Sequence, residues 1–224
     1  GNRKNEFYLY REQNPYTFNQ SSKSKRGGLS HNYKAGVDYQ MNSKNSFGIM
    51  INGNYSDITG NQKNKNYISN YYSGVTDSIL NSNQRYNSIN NNFYSNINHH
   101  YKDTIGKELT TDFDYGYYNG TRNTYQPNEY TLPDGTTPLS ATYYKSNTPT
   151  TINIFTLKSD YTQSLFKGKI GAGYKVALVN TVNTFNFYNI EGGIASLDSS
   201  RSNIFDYTEN VNALYLNWQR TFNK

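Results

Sequence analysis

The chain has no cysteine. Disulfide staples and thiolate metal sites are therefore excluded, while the compartment is left open. No run of 18 apolar residues occurs, which excludes a transmembrane helix but not a span built from strands. Leu, Ile, Val and Ala are scarce, and the mean hydropathy is -0.92, a value that alone points to disorder. The aromatic content argues the other way. Tyr numbers 24 and Phe 11, and aromatics make up 16% of the chain, whereas disordered segments are poor in them. A long-stranded β protein with one greasy and one wet face reconciles the two. No secretory signal is visible, because residues 1–12 are charged and polar; the chain reads as mature or as cut from a longer one.

The clearest pattern lies at Lys169 to Asn189, KIGAGYKVALVNTVNTFNFYN. Ile170, Ala172, Tyr174, Val176 and Leu178 fall on one face of a strand, and Gly171, Gly173, Lys175, Ala177 and Val179 on the other. Strands in soluble proteins usually run about 5–6 residues. This stretch carries neither a proline nor a helix signal, and its length and alternation are those expected of an outer-membrane barrel strand.

The pattern recurs along the chain. A first strand is expected at NEFYLY (Asn5 to Tyr10), with Phe7 and Leu9 on one face, ended by Asn14-Pro15. Gln20 to Gly28 reads as a loop and residues 29–41 as a second strand. A short polar turn at 42–45 then leads into a third strand through Phe47, Ile49, Ile51 and Tyr55. Residues 60–82 lose the alternation and read as a long loop. A fourth strand runs from Tyr86 to Lys102, a short turn follows at 103–107, and a fifth strand carries Leu109, Phe113, Tyr115 and Tyr117. Residues 119–150 hold prolines 127, 133, 138 and 149 and the turn signature Pro133-Asp134-Gly135, and read as a second long loop. A sixth strand at 151–163 and a short turn at 165–168 lead into the stretch above. A third loop at 191–201 then precedes an eighth strand from Ile204 to Phe222.

The fold class that follows is all-β: an antiparallel up-and-down meander of about eight long strands, either a barrel or a section of a larger outer-membrane barrel. Connections alternate long and short, so all short turns share one end, the polarity of an outer-membrane barrel. Tyr39, Phe47, Tyr101, Trp218 and Phe222 are expected near the short-turn end, and Tyr55, Tyr117, Phe185 and Phe187 nearer the long loops, as two interfacial belts. The period-2 rule assigns Val37, Ile49, Ile51, Phe93, Ile97, Phe113, Phe155, Leu157, Ala172, Val176, Leu214 and Leu216 to lipid. Asp38, Asn52, Asn96, Asp112, Asp114, Lys158, Asp160 and Lys175 are assigned to the wet side.

Lys158-Ser159-Asp160-Tyr161 before a short turn, Gly171-Ala172-Gly173-Tyr174-Lys175 after it, and Phe205-Asp206-Tyr207-Thr208-Glu209-Asn210 opening the next strand resemble the outer-membrane β-barrel family of Bacteroidetes, which is related to TonB-dependent receptors. The resemblance covers residues 29–224 as a pattern and 150–222 more closely. It implies a parent with a plug domain, a barrel of about 22 strands and an energy-coupling partner protein. With about eight strands here and no plug, the chain reads as a middle section of such a barrel. None of the family's coupling residues has a counterpart to carry over.

Chemistry is sparse. His99 and His100 are neighbours on a strand and point to opposite faces, which disfavours a shared metal. Asp112, Asp114 and Asp160, with Lys158 and Lys175, could do acid–base work, but charges on a barrel wall more commonly line water or contact a plug. No Ser/His/Asp set, P-loop or dinucleotide motif is present. The chain is expected to be no enzyme and to hold no cofactor. Net charge is +6, with basic residues at Lys23-Ser24-Lys25-Arg26, Lys63 and Lys65. These are expected in loops beside anionic headgroups, with no nucleic acid bound. The expected function is non-catalytic ligand binding and uptake by a TonB-dependent-receptor-like protein in the outer membrane of a Gram-negative bacterium. Its partners would be outer-membrane lipid, a plug, an energy-coupling protein, and a polar ligand (glycan, peptide or chelate) at the long loops. The alternatives are a small complete barrel acting as adhesin or anchor, and a soluble glycan-binding β protein.

Overall fold

A computed structural model describes residues 2–9, 15–165 and 167–220. The described residues form one antiparallel sheet: β1 (Asn2–Leu9), β2 (Tyr16–Asn42), β3 (Asn45–Asn70), β4 (Thr76–Lys102), β5 (Lys107–Thr131), β6 (Pro138–Leu165), β7 (Gly168–Glu191), β8 (Ile194–Leu197) and β9 (Asn203–Gln219). Each strand from β1 to β7 pairs with the next; the top of β7 pairs with the four-residue β8, and the rest of β7 pairs with β9. Apart from β8, this is the expected up-and-down meander of eight strands. It is an open sheet, in which β2 below Lys23 and the whole of β9 each have a partner on one side only.

The long loops are corrected. Residues 60–82 are the upper halves of β3 and β4, joined by a turn at 71–75; residues 119–150 are the upper halves of β5 and β6, joined at 132–137; residues 191–201 contain the β7–β8 hairpin. Gln20 to Gly28 likewise lies within β2. These segments lack hydrophobic alternation because Asn, Ser, Thr, Lys and Gln occupy both faces. The backbone ladder runs through them regardless, for example from Gly60↔Tyr86 to Ile68↔Ser78. Pro127 and Pro149 argue against central strands, and the ladders do break beside them. The β4–β5 pairing skips from Arg85↔Tyr125 to Ser82↔Asn128, and the β6–β7 pairing from Thr150↔Asn183 to Asn147↔Asn186. On resumption the strands continue in register.

Turns at both ends are therefore tight, and the asymmetry lies in how far the strands project. Short polar residues close many of them. Asn42 Oδ1 accepts from the amides of Lys44 and Asn45 at 2.9 Å, and Asp103 Oδ1 from those of Ile105 and Lys107 at 3.0 and 2.7 Å. At the opposite end, Asn70 Oδ1 accepts from Tyr72 and Ser73, and Asp134 Oδ1 from Thr136 and Thr137 at 2.7 and 2.9 Å. Gly135 follows Asp134 at φ 74°, where a side chain would be strained. A strand of 27 residues such as β4 spans roughly 90 Å at about 3.3 Å per residue, and a bilayer needs only about 9–11.

Register separates two faces. One row runs Val37–Ile49–Ile97–Phe113–Leu157–Val176, and the next runs Ala35–Ile51–Ser95–Tyr115–Phe155–Leu178. The row below Val37, on the opposite face, runs Asp38–Gly48–Asn98–Asp112–Lys158–Lys175. Every residue assigned above to lipid lies on the first face, and every residue assigned to water on the second. The partition is not absolute: Ile152, Ile154, Val179 and Val211 sit on the polar face. Of the expected belts, Tyr39, Phe47, Tyr101 and Trp218 lie on the apolar face toward one end, and Tyr55 and Tyr117 toward the other. Phe185 and Phe187 are corrected to the polar face, because β7 keeps strict alternation from Val179 upward; Phe187 packs there on Tyr144, ring centroids 5.2 Å apart. Phe166, Phe222 and the side chains of Phe7 and Leu9 lie outside the described residues.

The apolar zone shifts from strand to strand. On β4 it extends through Ile89, Phe93 and Ile97, while on β9 it lies at Leu214, Leu216 and Trp218. The register places Leu216 level with Tyr101, at the lower end of β4. A horizontal band crossing tilted strands produces this drift, and barrel strands in membranes tilt by about 35–45°.

Among the described residues, no packed interior covers the apolar face. Ile79, 2% exposed, is the buried hydrophobic residue among those described, whereas Val37 is 72%, Ile97 50% and Leu214 83% exposed. In water such a face would be an aggregation surface; in hydrocarbon it is the solvated one. We expect Ile97→Lys to destabilise the membrane-inserted protein by roughly 2–4 kcal/mol, the cost of a mid-bilayer lysine, in urea unfolding from lipid vesicles. Asn98→Lys, on the other face, should leave stability close to the parent's. Equal losses would contradict the assignment of faces. The Asp134 turn makes a pH prediction. Donation by the Thr137 hydroxyl and by the Thr137 and Thr136 amides holds the Asp134 carboxyl down at about 2. Its support for the turn is therefore complete above the unfolded value near ~4 and fades as pH falls toward about 2. An NMR titration of the Asp134 carboxyl should give the low midpoint, and a midpoint near ~4 would contradict the contacts.

Candidate functional surfaces

The polar face at membrane depth is a continuous cross-strand network. Asp114 accepts from the Tyr94 hydroxyl at 2.5 Å and from Asn96 Nδ2 at 2.7 Å, and Asn98 Nδ2 donates to Asn96 Oδ1 at 2.8 Å. Higher on the same face, the Tyr118 hydroxyl donates to Asn90 Oδ1 at 2.8 Å, and Asn54 Nδ2 donates to Ser30 Oγ and Asn32 Oδ1. Lys158 Nζ pairs with Asp160 Oδ2 at 2.5 Å. Asp114 and Asp160 are thus held in wall contacts. The arrangement offers fixed donors and acceptors to water or to an enclosed surface.

Small residues let this network close over the backbone. A Cβ at Gly173 would stand 2.2 Å from the Tyr215 ring, and one at Gly48 would stand 2.7 Å from both Asn98 and Asp38. Glycine on the wet face is therefore a packing feature, in which a neighbouring Tyr or Asn lies flat across the strand.

The histidines separate as strand geometry requires. His99 is on the apolar face, stacked on Phe47 at 4.5 Å, with Nε2 3.0 Å from Asn45 Oδ1. His100 is on the polar face, with Nδ1 3.1 Å from Thr110 Oγ1 and Nε2 3.6 Å from Glu108. His31 is exposed on β2, two strands away. The three do not converge.

Above the apolar band, the segments expected to be recognition loops come together as strands. They line two grooves, of about 810 and 670 Å³. Lys23, Lys63, Asn83, Arg85 and Glu129 border the first, and Lys25, Asn61, Arg85 and Lys145 the second. The sequence marked these segments by composition; it could not show that their basic residues share a face, because no hydrophobic period sets the register there.

A family model described as an outer membrane protein beta-barrel family matches residues 100–224, more than half of the chain. No curated protein and no solved structure matches the chain. The matched residues include most of the polar wall, the apolar rows from β5 to β9, and the short turn at 103–106. An exposed apolar face, alternating register and the family match agree: the chain belongs to the outer membrane protein β-barrel family and resides in the outer membrane.

Proposed function

We propose that the chain is a wall section of a TonB-dependent-receptor-like protein that binds and takes up a ligand without catalysis. The observation that carries this reading is the direction of the two free edges. β2 and β9 run the same way, each from the projecting end to the short-turn end. An antiparallel ring cannot join them directly, and two copies related by an axis along the membrane normal would bring like-directed edges together as well. An odd number of further strands is needed between them. The first of these would continue β1, which runs opposite to β2 and covers only Tyr16 to Lys23. β1 alone would complete a ring of eight, but as described it lies level with Tyr16 to Lys23 and stops short of the apolar rows at Ala35 and Val37, which favours three or more further strands, as in a larger barrel.

Two further features favour an enclosed plug over an open pore. Ile154, Val211 and Phe205, respectively 40%, 41% and 56% exposed, form apolar patches on the polar face, which suit contact with a folded domain better than contact with water. The similarity of Lys158–Tyr161 and Gly171–Lys175 to the receptor-related family points the same way. The projecting strands then provide the surface that meets a polar ligand, such as a glycan, peptide or chelate.

Closure is tested by disulfide trapping in membranes. Val37→Cys is combined in turn with Asn210→Cys, Asn212→Cys, Leu214→Cys and Leu216→Cys. One intervening strand holds the two edges roughly 10 Å apart, beyond the ~7 Å limit for a disulfide, so no pair should cross-link. Efficient cross-linking of any pair means that the two edges meet directly, which overturns this closure. The small adhesin or anchor barrel, closed through β1 alone, is told apart by a spin-label distance of roughly 10 Å between Val37→Cys and Leu214→Cys, against roughly 19 Å or more when three or more strands intervene. The receptor reading has its own check: the full reading frame should encode a plug upstream of these strands, and its absence ends that reading.

A further inference from the structure

Six basic residues of the projecting region lie on the lipid-facing side of the sheet, while Arg26 and Arg122 take the other face. Register places Lys25, Asn61, Arg85, Tyr125 and Lys145 in one row, and Lys23, Lys63, Asn83, Pro127 and Tyr143 in the next. Both rows share the face of Val37, Ile49 and Ile97. Lys65 follows in the row above. On β2 to β4, the rows from Tyr39–Phe47–His99 up to Tyr33–Gly53–Phe93 hold no lysine, arginine or carboxylate on this face, and two rows higher Asp57 stands between Leu29 and Ile89, accepting from Asn87 Nδ2 at 2.7 Å. Lys25 stands four residues above Leu29, and Arg85 four above Ile89. That is roughly 13 Å along a strand, or about 9 Å of height at a 45° tilt, which is headgroup depth beyond the hydrocarbon.

Six cations thus border the apolar band, and Glu129 is the one carboxylate lining either groove. Among the described residues none of the six stands in an ion pair; Lys65 lies over the Tyr67 ring at 5.0 Å. The carbonyl oxygens of Asn61 and Asn83, set between the cations, are buried without a hydrogen-bond partner. A soluble ligand drawn into the barrel would meet the other face. A lipid whose acyl chains lie against Val37, Ile49 and Ile97 would bring its headgroup to these grooves.

We propose that the two grooves above the apolar band form a site for phosphate-bearing lipid headgroups, with Lys23, Lys25, Lys63, Lys65, Arg85 and Lys145 as the phosphate ligands. The site rests on the assignment of the apolar face to lipid and is independent of the uptake reading. Charge complementarity and continuity with the lipid-facing band select this occupant.

The test uses the full chain in phosphatidylcholine nanodiscs, with native mass spectrometry and titration of short-chain phosphatidic acid. The parent should retain phosphatidic acid at least tenfold over phosphatidylcholine, and 0.5 M NaCl should reduce this several-fold. Lys63→Gln/Lys65→Gln/Arg85→Gln should lower retention about tenfold. Lys63→Arg/Lys65→Arg/Arg85→Lys should keep most of it, and a β-sheet circular dichroism spectrum checks folding of each. Lys34→Gln/Lys102→Gln/Lys175→Gln removes equal charge from the other face and should change retention less than twofold. An equal loss in that control, or no loss in the first variant, overturns the proposal. Inorganic phosphate competing as strongly as the lipid also overturns it, since the site would then serve a soluble anion.

Discussion

Hydrocarbon offers no partner to a backbone N–H or C=O, and each group left unpaired there costs several kcal/mol. The structure follows from that constraint. Seven strands of 17 to 28 residues carry their ladders through the membrane zone, and the reversals between them are tight. Side chains need not cohere, because the ladder holds the sheet together and lipid covers its apolar side. This is why a chain with little Leu, Ile or Val folds without a conventional core. The constraint also singles out what is unfinished. Among the described residues, β2 from Ser24 to Asn42 and β9 from Asn203 to Gln219 present about every second N–H and C=O outward with no partner. At membrane depth those edges have to be paired.

Where one face met lipid, the sequence was legible. Ile49 and Ile51, Phe113, and Leu157 with Val176 set the alternation, and a one-residue slip would have put Asp112 and Lys175 into hydrocarbon. Those residues therefore fixed both register and facing. The short turns were legible for a different reason, since Asn42 and Asp103 carry side-chain acceptors where the backbone reverses.

Above the membrane this information disappears. Both faces of the β3–β4 extension meet water, so Asn64 and Lys65 or Ser82 and Asn83 satisfy either facing equally well, and nothing in their order separates a strand from a loop. Pro127 and Pro149 added a misleading signal. A proline in a central strand forfeits one ladder bond, and the long β4–β5 and β6–β7 ladders absorb the loss by skipping two positions each. Phe185 and Phe187 misled in the same region. Their bulk suggests a lipid-side belt, but above the bilayer an aromatic ring is as well placed against Tyr144 and Arg201 as against a headgroup.

The same loss of period explains why the basic cluster could not be read as a site. Lys23, Lys25, Lys63 and Lys65 come in alternate positions along two separate segments, a spacing that in a loop means little. Once pairing sets Lys23 opposite Lys63 and Lys25 opposite Asn61, alternation becomes a shared face, and the intervening Ser24, Gln62 and Asn64 turn to the other side. Like charges directly opposite each other destabilise a sheet, so Lys23 against Lys63 is a local cost to folding. A cost of that kind is consistent with a surface whose charges are neutralised by something outside the chain. On the lipid side of an outer-membrane strand, at the height where hydrocarbon gives way to headgroups, the available counter-charge is phosphate.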